Sequence, residues 1–134
     1  MEAPTPNYQE YEKDTKLIKF IKEDFYGKIN NESYIIKIGT LKEFLVLKIT
    51  EKKSIKNNYI SYFTFEQLKN ISKSMRYFDN INDIVSFLEE KGKKNEIYLK
   101  KLNNSIYIEL KILSPNGKQD NMLLEIKAQE ISDK

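Results

Sequence analysis

The chain has 134 residues, 23 basic and 20 acidic side chains, a formal charge of +3, and neither cysteine nor histidine. Without Cys there is no disulfide framework and no thiol chemistry, and without His the commonest general base and the commonest metal ligand are missing. The length suits about one domain, large enough to bury a core without metals or cross-links.

No apolar run approaches the roughly 20 residues that span a bilayer, and Met1 to Pro6 lacks the basic and apolar regions of a signal peptide. A soluble, intracellular chain is therefore expected. The basic excess is almost all lysine, Arg76 being the sole arginine. Lys, Ile and Asn share AT-rich codons, and a nucleic-acid surface usually recruits Arg for bidentate contacts. The lysine count is therefore weak evidence for a polyanion partner.

Residues 1–13, with two prolines among polar residues, read as a flexible tail preceding a single globular domain over residues 14–134. From Lys16 to Tyr26, Leu17, Ile18, Ile21 and Phe25 suit one helix face, and a short helix is expected there. Tyr34, Ile36 and Ile38 then alternate as in a strand, after an Asn30-Asn31 pair suited to positive φ in a tight turn. Phe44 to Ile49 is almost continuously apolar, the pattern of a central strand covered on both faces. Tyr59 to Phe63 supplies another strand, and the lysine-rich loop before it should be solvated.

Thr64-Phe65-Glu66-Gln67 is a capping box. It opens a helix to about Ser74, with Phe65, Leu68, Ile71 and Met75 on one stripe. A short turn leads to a second helix from Asn80 to Lys91, with Asp79 or Asn80 as cap, Asp83 near the positive helix end, and Ile81, Ile84, Val85 and Leu88 as the buried face. Gly92 is the expected left-handed stop. Beyond this hairpin come strands from Ile97 to Leu102, Ile106 to Ile112 and Met122 to Lys127, joined through Asn103-Asn104 and Ser114-Pro115-Asn116-Gly117. The expected fold is α+β and β-rich, an antiparallel β-sandwich or half-barrel with a helical hairpin inserted between strands.

The run Phe65-Glu66-Gln67-Leu68-Lys69, then Tyr77-Phe78-Asp79-Asn80-Ile81 and Ile84-Val85-Ser86-Phe87-Leu88-Glu89-Glu90, resembles the N-terminal head domain shared by centriolar cartwheel proteins and the coiled-coil scaffolds of DNA end joining. Leu68, Phe78, Asp79, Ile84 and Leu88 stand at the matching places, and the resemblance covers roughly Tyr34 to Lys127. It implies a β-sandwich with a helical hairpin that precedes a parallel coiled coil and serves assembly in the cytoplasm or cytoskeleton, the nucleus being the alternative address. The chain stops at Lys134, before any heptad stalk. In the cartwheel branch a bulky apolar residue at a strand-loop tip makes the head-to-head contact, whereas the tip here, Ser114 to Lys118, offers Pro115 among polar residues.

No catalytic, metal-binding or cofactor-binding set stands out. The four glycines are scattered at turn positions and form no phosphate loop. Glu89-Glu90 and Asp79 with Asp83 read as solvated or capping carboxylates. A non-catalytic protein-interaction or assembly module is the expectation, with a protein partner or self-association and no cofactor or membrane. Tyr59, Tyr62, Tyr98 and Tyr107 are its candidate interface. The alternative is a basic nucleic-acid-binding accessory subunit of a heteromeric complex, using Lys91, Lys93, Lys94, Lys100 and Lys101. Asn82, Asp83, Ser86, Glu89 and Glu90 on the exposed helix face would repel phosphates and argue against groove binding by the hairpin.

Overall fold

The computed structural model describes residues 17–53, 58–113 and 116–129. Strands β1 (Lys19–Phe20), β2 (Phe25–Ile29), β3 (Glu32–Leu41), β4 (Phe44–Glu51) and β5 (Asn58–Phe63) form one antiparallel sheet, β1 and β2 lying in succession along the same edge of β3. Helices α1 (Phe65–Ile71) and α2 (Ile81–Lys93), with a 3-10 turn at Lys73–Tyr77 between them, follow β5. Strands β6 (Tyr98–Leu102), β7 (Ser105–Leu113) and β8 (Gln119–Lys127) make a second antiparallel sheet. The result is a β-sandwich with a helical hairpin inserted between strands.

Turn chemistry sets the register. Asn30 and Asn31 both take positive φ (49° and 72°), closing the β2–β3 hairpin where Ile29 faces Glu32. Asn103, at φ 56°, does the same between Leu102 and Ser105. Ile36, Ile38, Leu45, Leu47, Ile49, Ile106, Ile108, Leu110, Leu124 and Ile126 then point between the sheets into one core. On β4 the intervening Phe44 and Val46 are buried too, in a second cluster with Leu41, Ile60 and Tyr62 on the outer side of the first sheet. The continuous apolar run is thus that of a strand covered on both faces.

The described part of the Lys16 to Tyr26 segment, residues 17–26, does not form the expected helix. Ile18 is buried in the outer cluster and Phe20 packs on it, while Ile21 and Phe25 turn to the inner core and Leu17 is 58% exposed. That division belongs to strands pairing with β3, and the Ile21 amide donates to the Ile38 carbonyl at 2.9 Å. Gly39 admits this edge closely: a Cβ there would lie 2.6 Å from the Lys19 carbonyl oxygen.

The capping box at α1 is present in both directions, the Gln67 amide donating to Thr64 Oγ1 (3.1 Å) and the Thr64 amide to Gln67 Oε1 (2.8 Å). The helix ends sooner than its stripe suggests. Ser72 has left helical geometry and caps the 3-10 turn, so Met75 reaches the core from that turn and Ile71 is left 42% exposed. The Ser72 and Ser74 hydroxyls both donate to Asp120 Oδ2 (3.0 and 3.2 Å), tying the turn to β8.

Helix α2 is capped by Asn80, whose Oδ1 accepts from the Asp83 amide at 3.0 Å, and it buries Ile84 and Leu88. Gly92 is not its stop. It lies inside the helix against the Phe25 ring, where a Cβ would meet ring carbons at 2.5 Å. The left-handed residue is Asn95 (φ 58°), within a Schellman motif in which the Glu96 amide donates to the Lys91 carbonyl (2.8 Å) and the Asn95 amide to the Gly92 carbonyl (3.1 Å).

Candidate protein-interaction face

The second sheet turns alternate residues of β7 inward, so Tyr107, Glu109 and Lys111 lie on its outer face. Register extends that face into rows. Lys100, Tyr107 and Glu125 form one row, Tyr98, Glu109 and Leu123 the next, and Leu102, Ser105 and Lys127 the third. Tyr98, Leu102 and Leu123 are 48%, 51% and 44% exposed, and Tyr107 is half-buried among them. The Ser105 hydroxyl donates to Glu125 Oε2 at 2.8 Å and fixes that carboxylate on the face.

At one margin the face runs into a groove. β5 and β8 meet at Tyr59 and Ala128, where the Gln129 amide donates to the Asn58 carbonyl (2.8 Å). Further along the strands part, and the Lys127 amide donates to Ser61 Oγ (3.0 Å) in place of a backbone carbonyl. The opening holds ≈ 870 Å³ between Tyr107, Leu123 and Glu125 on one side and Ile71 at the end of α1.

The four candidate tyrosines separate. Tyr59 and Tyr62 are 6% and 5% exposed, drawn into the inner and outer clusters, and present almost no surface. Tyr98 and Tyr107 share the outer face of the second sheet. The five candidate lysines are not gathered on one surface. Lys91 pairs with Glu96 (3.4 Å), Lys93 with Glu23 (3.5 Å) and Glu89 (3.8 Å), and Lys94 with Glu90 (3.2 Å). Lys100 and Lys101 are successive residues of β6 and point to opposite faces. Of the strand-loop tip, Ser114 and Pro115 lie outside the described residues, as do residues 1–13.

The exposed Leu102 and Leu123 were not singled out in sequence, although their register against Ser105 and Glu109 was recoverable from the β6–β7–β8 alternation. Among the described residues no three His, Cys, Asp or Glu side chains are grouped to hold a metal ion, and no helix is long and apolar enough to cross a membrane.

Two antiparallel sheets around one core, with a capped helical hairpin between the fifth and sixth strands, make a fold that is shared with two solved head-domain and N-terminal fragments. The head domain of human CCDC61 is similar, with TM-score 0.61 and 12% identity over 80% of this chain and 95% of that one. An N-terminal fragment of Drosophila melanogaster Sas-6, dimerised via its coiled-coil domain, is similar with TM-score 0.52 and 10% identity over 89% of this chain and 68% of that one. No protein-family model matches the chain, and no curated protein matches it significantly. The resemblance carried by the hairpin motifs is one of fold.

Proposed function

We propose that this domain is a non-catalytic protein-interaction and assembly module, the head of a coiled-coil scaffold of centriole or cytoskeletal type, working in the cytoplasm or cytoskeleton. The observation that most supports the reading is the outer face of the second sheet. A solvated sheet face is ordinarily polar. This one sets exposed Tyr98, Leu102 and Leu123 around Tyr107, interleaved with Glu109 on β7 and with Lys100, Glu125 and Lys127 on the flanking strands. Tyrosine is enriched in interface cores because it combines a large apolar body with a polar tip. The carboxylates of α2 have structural duties in place of acid–base chemistry: Asp83 accepts from the Asp79 amide (3.3 Å), and Glu89 and Glu90 pair with Lys93 and Lys94.

Sedimentation and duplex-DNA titrations at two salt concentrations test this reading. Protein association that tolerates salt is the expected result. Binding to DNA through lysines releases counterions and weakens steeply with salt, and micromolar, salt-sensitive DNA binding with no protein association at any concentration would overturn the proposal.

A further inference from the structure

We infer that the outer face of the β6–β7–β8 sheet docks a second copy of this chain, face to face, about a two-fold axis running along β7 through Tyr107. The inference rests on the assembly reading and specifies its partner.

One row of the sheet carries opposite charges on its two outer strands. Lys100 on β6 and Glu125 on β8 flank Tyr107 on β7. They are two strand spacings apart, about 9 to 10 Å, with the tyrosine between them. They are therefore held apart within the chain. Among the described residues Lys100 makes no ion pair, unlike Lys91, Lys93 and Lys94. Among the described residues Glu125 accepts a hydrogen bond from Ser105, through Oε2.

Half a turn about β7 exchanges β6 with β8. It lays Lys100 over the second copy's Glu125 and Glu125 over the second copy's Lys100, with the two Tyr107 rings meeting on the axis. In the adjacent row the same operation brings Tyr98 over Leu123, apolar on apolar, and on the other side it brings Leu102 over the aliphatic stem of Lys127. An isologous contact must be self-complementary in this way. A two-fold axis running across the strands would instead oppose Lys100 to Lys100 and Glu125 to Glu125, which costs free energy. On the axis itself the same operation sets Glu109 over Glu109 and Lys111 over Lys111, like-charge contacts that the two Lys100–Glu125 pairs must outweigh.

The test is a charge exchange read by sedimentation velocity, with thermal melting as a check on folding. Lys100→Glu and Glu125→Lys each turn two attractive contacts into two like-charge contacts, and each should weaken the wild-type dimer by roughly tenfold or more. An equimolar mixture of the two variants restores opposite charges at both contacts. It should associate within roughly threefold of wild type, as should the double variant. Single variants that weaken association without rescue in the mixture would overturn the two-fold pairing. Wild-type association indifferent to both substitutions would overturn the docking face and leave the assembly reading standing. A wild-type chain that associates with neither itself nor another protein would overturn both.

Discussion

On the outer side of the five-stranded sheet, Leu41, Phe44, Val46, Ile60 and Tyr62 are buried with Ile18 and Phe20 packed against them, whereas the outer side of the three-stranded sheet leaves Tyr98, Leu102 and Leu123 exposed. Both sheets close on the same inner core. The difference is written in two strands: β4 reads Phe-Leu-Val-Leu without interruption, while β7 alternates Ile106, Ile108, Leu110 and Ile112 with Tyr107, Glu109 and Lys111. Continuous hydrophobicity marks a strand whose two faces are covered, and alternation marks one with a face left over. What distinguishes that remaining face is apolar content beyond what solvation requires, which points to function outside the fold itself.

A charge placed on each outer face breaks the comparison most sharply. Val46→Asp buries an unpaired carboxylate at a fully buried site and should cost at least about 3 kcal/mol in urea unfolding. Tyr107→Asp, on the open face, should leave the midpoint close to wild type. Comparable losses at the two positions would show that both faces are covered. The shared inner core supplies the control. Leu88→Ala should cost about 2 to 5 kcal/mol and lower the melting temperature markedly, whereas Ile71→Ala, exposed at the end of α1, should fall within about 0.5 kcal/mol.

A smaller effect is expected where α2 meets the first sheet. Gly92→Ala gains about 1 kcal/mol of helix propensity but forces a methyl group onto the Phe25 ring, so a net loss of up to about 2 kcal/mol is expected. Phe25→Leu in the same chain should reduce that loss. Asn95→Gly should be neutral or slightly stabilising in thermal melting, because it removes a left-handed non-glycine residue.

The smallest effect is alkaline. Burial raises the Tyr34 phenol above 10.0, partly offset by Lys101. The folded state therefore holds its proton where the unfolded chain releases it. Stability from this group is intact below pH 10 and declines as pH rises from there toward the folded value. Urea unfolding across that window, with Tyr34→Phe as the flat reference, measures it.

Most of this architecture was legible in sequence because its signals are local. The capping box at Thr64 and Gln67, the Asn30-Asn31 turn and the alternation from Ile106 to Ile112 each satisfy backbone or burial demands within a few residues. The errors fall where a distant partner decides. Ile18, Ile21 and Phe25 fit a helix stripe, but pairing with β3 distributes them over two clusters. Gly92 looks like a helix stop by type, yet its place is set by the Phe25 ring. Ile71 continues the stripe of α1, but Ser72 leaves the helix to cap the next turn and, with Ser74, bonds Asp120 on β8. For the candidate site, tyrosine type alone did not separate Tyr59 and Tyr62 from Tyr98 and Tyr107. Only register against neighbouring strands assigns them to core or surface.

The measurement that bears most directly on the open face is concentration-dependent sedimentation of the wild-type chain beside Tyr107→Ala, with circular dichroism to follow folding. Tyr107 is half-buried, and its truncation should leave the domain folded while removing the centre of the contact. A folded variant is expected, with association lost at concentrations where wild type associates. A folded Tyr107→Ala chain that associates as tightly as wild type would contradict this expectation.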